Sequence, residues 1–169
     1  FFQLRLKNET SRNKISIGKK IKKICKKHRV KFLVNDEPYL AKKLKADGCH
    51  IGQKDMSILK VKKILKKKII GITCHNSINL VKQAIKRQPN YIALGAFYSS
   101  KTKKVKFKAN MQVLKYAKTM TKIPIVAIGG IKSNNYKKLL LNKANFLAIS
   151  GYIWNNKKLK PTEAINKLK

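Results

Sequence analysis

The sequence predicts an α/β fold, a (β/α)8 TIM barrel that lacks its first strand–helix unit in this chain. Three observations predict it. Seven short apolar runs of strand length recur at roughly twenty-residue intervals along the 169 residues. Amphipathic stretches with helical spacing lie between them. No Gly-x-Gly-x-x-Gly follows the first run, so a doubly wound dinucleotide fold has no local support. Strands alternating with helices imply a parallel sheet built by right-handed crossovers. One domain, residues 1–169, takes up the whole chain, with no linker, tandem repeat or low-complexity segment. The first residue is Phe and stands inside a strand-like run, so the domain is expected to be N-terminally incomplete.

The strand-like runs are 1–6, 31–35, 48–51, 69–73, 91–94, 124–128 and 146–150. Between them, Ile17, Ile21 and Ile24 fall three or four apart among lysines. Ile58, Val61, Ile64 and Leu65 do the same, as do Leu80, Val81, Ala84 and Ile85. Each set predicts a helix with one apolar face. Asp47-Gly48, Ser57 and Ser133 supply turn and cap signals. The segment 95–108 is the longest connection and is rich in Ser, Thr and Lys. Long βα loops on such a fold carry binding residues.

Composition excludes several classes. Hydrophobic residues make up 43% of the chain, which rules out a disordered polycation despite a formal net charge of +36. The lysines form a uniform coat over nearly every predicted helix, and arginine occurs only at Arg5, Arg12, Arg29 and Arg87. Readers of nucleic acid use arginine for base edges and phosphate forks. The expectation is therefore a solvated surface, with weak salt-sensitive polyanion binding and no specific nucleic-acid partner. The longest apolar stretch, 123–131, is too short to span a bilayer, and no signal peptide is visible, so no membrane partner is expected. Cys25, Cys49 and Cys74 are odd in number and form no CxxC, which points to a reducing cytoplasm. Cys49-His50 and Cys74-His75 are poor zinc ligands, because strand neighbours point to opposite faces.

Four of the six carboxylates lie within twenty residues: Asp36, Glu37, Asp47 and Asp55. Asn35-Asp36 and Gln53-x-Asp55 end successive strand regions, so both aspartates emerge at the C-terminal edge of a parallel sheet. Neighbouring strands are about 5 Å apart, close enough for two carboxylates to share one Mg²⁺. Asp55 alone could instead cap the helix after Ser57. Gln3, Arg5 and Lys7 alternate on the first strand and share one face. That face is either a diphosphate clamp or the solvated side of an edge strand. Gly129-Gly130 and Ser150-Gly151 end the last two strands, where glycine lets backbone N–H groups approach a phosphate.

These residues also carry a likeness. Gln3-x-Arg5-x-Lys7, Val34-Asn35-Asp36 and Ala46-Asp47-Gly48-x-His50-Ile51-Gly52-Gln53-x-Asp55 occur in order. Gly71-x-Thr73-x-His75, Tyr91-x-x-Leu94-Gly95, Thr102-Lys103-Lys104 and the run from Ile125 through Gly129-Gly130 to Ile131 follow. The series resembles the thiamine-phosphate synthase and thiazole tautomerase family over residues 1 to about 153.

The resemblance implies a (β/α)8 barrel that is a Mg-dependent transferase of thiamine biosynthesis. It would couple hydroxymethylpyrimidine diphosphate to a thiazole phosphate and release pyrophosphate, so its partners would be small phosphorylated substrates. By match of motif, Asp36 and Asp55 would hold Mg²⁺. Arg5, Lys7 and Lys103 would be catalytic, binding the diphosphate together with Asn35. Gln3 would lie by the pyrimidine, and Thr73 stands where the family usually has Ser. Ser100 and Thr102 would face the thiazole phosphate, with Gly130, Ser150 and Gly151 closing around it. The chain departs from the pattern at Ser99-Ser100, where Pro-Thr is usual, and at Val105, where an acid often stands. Two other readings remain open: a tautomerase-like relative, which would rely on a His near His75, and a non-catalytic barrel that binds polyanions.

Overall fold

The computed structural model describes residues 1–99 and 108–168. The chain divides into two compact units, Phe1–Thr73 and Cys74–Lys169. All seven strands are joined to their neighbours in parallel wherever a register is defined.

The first unit runs β1 (Phe2–Leu4), α1 (Ser11–Lys27), β2 (Phe32–Asn35), α2 (Pro38–Lys43), β3 (Gly48–Ile51) and α3 (Ile58–Leu65), then enters β4 (Ile69–His75). β1, β2, β3 and β4 pair in that order, with Leu4 opposite Val34, Asn35 opposite His50 and His50 opposite Gly71. Every residue of β3 is buried, as are Phe32, Leu33 and Val34 of β2. Burial on both faces is the mark of a parallel sheet covered by helices, and explains why these strands read as continuous apolar runs. Ile58, Val61 and Leu65 bring α3 onto that sheet. Each fully buried Ile or Leu contributes about 2 kcal/mol by transfer from water.

α1 begins at Thr10, whose hydroxyl accepts the Asn13 N–H at 3.2 Å, satisfying one orphan donor of the first turn. Its buried positions are Gly18 and Cys25, whereas Ile24 is 60% exposed. The inward stripe is thus rotated by one residue from the Ile17–Ile21–Ile24 set. Gly18 sets this rotation: a Cβ there would collide with the Leu44 side chain, so the helix approaches α2 through its smallest residue. Lys22 also belongs to the packed side, donating to the Leu44 carbonyl at 2.9 Å.

The second unit continues with α4 (Ile78–Arg87), β5 (Tyr91–Gly95), α5 (Met111–Met120), β6 (Ile125–Ile128), α6 (Tyr136–Leu141), β7 (Phe146–Ala148), α7 (Gly151–Trp154) and α8 (Pro161–Asn166). β5, β6 and β7 pair in that order. Ile92, Leu94, Leu114, Ile125 and Leu139 form its core, each 0% exposed. Asn110 caps α5 by accepting the Val113 N–H at 3.0 Å. α6 starts at cap Asn135, two residues beyond the Ser133 signal.

The strand positions agree with the periodicity to within one residue, except at three strand ends that differ by two. β1 ends at Leu4, so Arg5 and Lys7 follow the strand instead of sharing its face with Gln3. β4 extends two residues past Thr73, and β7 stops two residues before Ser150. Among the described residues, no helix is long and apolar enough to cross a membrane.

Candidate active site

The first unit gathers its chemistry where β1, β2, β3 and β4 end. Gln3 donates its amide to the Asn35 side-chain oxygen at 2.6 Å, joining β1 to the last residue of β2. Asp36 follows at once, with φ at 63°. An L-residue pays about 1 kcal/mol or more for this left-handed conformation, least for Asp and Asn. The Asp36 N–H donates to the His50 carbonyl at 2.7 Å, which holds the turn against β3.

Asp55 reaches the same place from the loop after β3. Its Oδ2 accepts the Gly52 N–H at 2.7 Å and so closes its own loop. The capping alternative therefore fails: the cap of α3 is Ser57, and Asp55 makes no bond to that helix's first turn. The Asp36 and Asp55 carboxyls lie within hydrogen-bonding reach of each other. Burial, then the hydrogen bond and charge of Asp55, push the Asp36 pKa up to about 6, while Lys7 and Arg5 pull it down. Arg5 and Lys7 are exposed, but their field falls on Asp36. Asp36 and Asp55 border a cleft of about 360 Å³, with Glu37, Tyr39 and Met56 on its walls. Glu37 is occupied by Lys14 at 2.8 Å, which leaves the two aspartates as the acids available there.

His50 is a residue whose role the sequence did not reveal. It is 8% exposed, and its Nε2 lies 2.7 Å from the Thr73 hydroxyl. Gln53 donates to the Thr73 carbonyl, so two residues of the same motif hold Thr73 by side chain and backbone. Burial pushes the His50 pKa down to about 4, leaving the imidazole neutral at pH 7. Burial pushes the Cys49 and Cys74 thiols up to about 12, so neither offers a thiolate to zinc at neutral pH.

In the second unit, Gly130 follows β6, with φ at 64°. A Cβ at this position would strike the Ser99 carbonyl oxygen and lie 2.6 Å from that of Tyr98, so close backbone approach alone requires glycine here. Ser150 and Gly151 open the four-residue α7. Ser100, Thr102 and Lys103 lie outside the described residues. A larger cleft of about 590 Å³ borders α5 and includes Lys108, Lys115 and Tyr116. Among the described residues it is lined by no acid, so the carboxylate cleft is the better candidate for metal-assisted chemistry.

Buried His50 and half-buried Asp36 predict a pH experiment. His50 is depressed from 6.5 to about 4, so its contribution to stability is present above pH 6.5 and is lost as pH falls toward 4. Asp36 is raised from 3.8 to about 6, so its contribution is present below pH 3.8 and is lost as pH rises through 6. The two oppose each other between pH 4 and 6. Urea denaturation without divalent ions should show this. Asp36→Asn should gain about 3 kcal/mol in stability from pH 4 to 7 through His50. His50→Gln should instead lose about 1 kcal/mol over the same range, after discounting for solvent around Asp36. Parallel profiles for the two variants would contradict both assignments.

Residues 1–153 match the family model described as thiamine monophosphate synthase. The chain belongs to that family. It is 72% identical to the thiamine-phosphate synthase of Pelagibacter ubique over 169 residues, covering 100% of this chain and 82% of that protein. It is 38% identical to that of Erythrobacter litoralis over 157 residues, covering 91% and 74%. Among solved structures, the thiamine phosphate pyrophosphorylase of Pyrococcus furiosus superimposes with a TM-score of 0.89 at 26% identity, covering 98% of this chain and 79% of that one. The thiamine monophosphate synthase match spans the Gln3, Asn35–Asp36, Gln53–Asp55 and Thr73 positions, as well as Gly130, Ser150 and Gly151.

Proposed function

We propose that this chain is a thiamine-phosphate synthase on a (β/α)8 barrel, coupling hydroxymethylpyrimidine diphosphate to a thiazole phosphate with loss of pyrophosphate. Family membership supports the activity, and the Asp36–Asp55 pair beside Arg5 and Lys7 carries the mechanism. The pair suits Mg²⁺. Burial, then the hydrogen bond and charge of Asp55, raise the Asp36 pKa to about 6, and a divalent cation between the two carboxyls would offset that cost. Asp36 and Asp55 would hold the ion, which when bound would neutralise charge on the diphosphate.

The remaining roles belong to the chain's own residues. Arg5 and Lys7 meet the diphosphate oxygens as the C–O bond breaks and its electron pair leaves with the diphosphate. Lys103 joins them by its place in the motif. Asn35, held by Gln3, offers its amide N–H groups to the same oxygens. Thr73, fixed by His50 and Gln53, presents its hydroxyl beside them. Ser100, Thr102, Gly130, Ser150 and Gly151 take the thiazole phosphate. The pyrimidine bears the benzylic-type cation, so the step needs no general base. Three buried free thiols accord with a reducing cytoplasm.

The test is an end-point assay with both substrates, with Mg²⁺ and with chelator. The expected result is thiamine phosphate and pyrophosphate in equal amounts, only when the metal is present. No thiamine phosphate from folded protein under these conditions would overturn the reading.

A further inference from the structure

The connections opposite the candidate site are crowded with cations. α1 ends in Lys26 and Lys27, and Arg29 and Lys31 precede β2. α2 ends in Lys42 and Lys43, and Lys45 precedes β3. α3 carries Lys63 in its last turn, and Lys66, Lys67 and Lys68 precede β4. All of these side chains are exposed. Each connection is short, so each helix end lies close to the start of the strand it feeds. Those starts are neighbours: Leu33 pairs with Gly48, and Gly48 with Ile69. The three clusters therefore form one basic rim along the N-terminal edge of the first unit's sheet, while Asp36, Asp55 and Thr73 lie at the C-terminal edge.

Favourable interaction with the helix dipole explains one or two cations per helix end. It does not explain a rim this dense with so little acid in it. The titratable acid within it is Asp47, which accepts the Phe32 N–H at 2.9 Å and stands 3.9 Å from Lys31. His28 is exposed beside it, and Cys25 is buried beneath. Among the described residues, the ion pairs are Lys14–Glu37 and Lys31–Asp47, so the other rim cations repel one another without acidic partners.

We propose that this rim is a docking surface for the phosphodiester backbone of nucleic acid, bound without regard to sequence and away from the catalytic edge. Helices packed on a sheet are about 10 Å apart, so three helix ends span roughly 20 Å. About six phosphates of one strand cover that length. Lysine point charges suit backbone contact, and the scarcity of arginine accounts for the lack of base readout. An anionic membrane fits less well. The exposed large apolar side chains in residues 24–31 are Ile24 and Val30, too few to insert an apolar face.

The test uses fluorescence anisotropy of the full chain with a labelled 20-base-pair duplex of arbitrary sequence. Affinity should fall about a thousandfold between 50 and 200 mM salt, a logarithmic slope near −5. Replacing Lys42, Lys43, Lys63 and Lys67 with Gln should lower the slope's magnitude by about 3.6, with thiamine phosphate turnover unchanged. The charge-matched control replaces Lys82, Lys86, Lys137 and Lys138 with Gln and should bind within about twofold of the parent. Equal losses in the two variants would show diffuse net charge and overturn the rim. Tighter binding to vesicles of anionic lipid than to the duplex would overturn the partner. If the rim variant misfolds, acetylation of the parent's lysines with and without duplex decides the matter: selective protection of Lys42, Lys43, Lys63 and Lys67 supports the surface, and uniform protection overturns it.

Discussion

Asp36→Asn and Asp55→Asn should each lower thiamine phosphate formation by about a thousandfold or more, with the fold retained. The substitutions are chosen for the backbone. Asp36 has φ at 63°, which Asn tolerates and Ala does not, so the amide removes charge without adding strain. An Asn at 55 keeps an oxygen to accept the Gly52 N–H, and the loop after β3 stays closed. What is lost is anionic oxygen at the proposed Mg²⁺ site. Removing one preorganised group from a charge-stabilising site costs a hundred- to a thousandfold, and removing a ligand disturbs the ion as well.

A second readout separates this from a general defect. Mg²⁺ at a hundred times its dissociation constant should stabilise the parent by about 2.7 kcal/mol. Neither variant should show that gain. Asp36→Asn should moreover be more stable than the parent at pH 7 without metal, because it removes a carboxylate that burial and Asp55 disfavour. Mg²⁺-dependent turnover near the parent's in either variant would remove these residues from the reaction.

What the sequence made legible follows from the physics of each element. β2 and β3 are buried on both faces, so their apolar runs needed no periodicity to be seen. Asp36 and Asp55 were legible because a strand's end is marked by the first acid after an apolar run. β1 was misjudged in length because alternation continues through Arg5 and Lys7 after pairing has stopped at Leu4. The rotation of α1 was hidden in Gly18, which reads as a helix weakener until Leu44 is seen against it. The His50–Thr73 bond depends on the register of β3 against β4, where His50 stands opposite Gly71, and spacing along the chain carries no register. By sequence Lys22 belongs to the solvated coat, but its ammonium reaches the Leu44 carbonyl, a contact that only α2's position creates.

Arg5→Ala and Lys7→Ala should each slow thiamine phosphate formation about a hundredfold, whereas His75→Asn should cost less than tenfold. Both cations are exposed and already pull on the Asp36 pKa, so they lie within reach of the charge that collects beside that carboxyl. That charge grows as the diphosphate departs, so a cation there stabilises the transition state more than the bound substrate. The loss should therefore appear mainly in kcat. Lys103→Ala should behave in the same way. His75 has φ at 51°, and Asn preserves that turn while removing the imidazole. The proposed ionisation needs no base and so has no use for the imidazole. A tautomerase moves a proton and would give the reverse order: a large loss at position 75, small losses at positions 5 and 7, and no dependence on Mg²⁺. Side-by-side rates for the four variants, with thiamine phosphate as the product measured, decide between the two branches of the family.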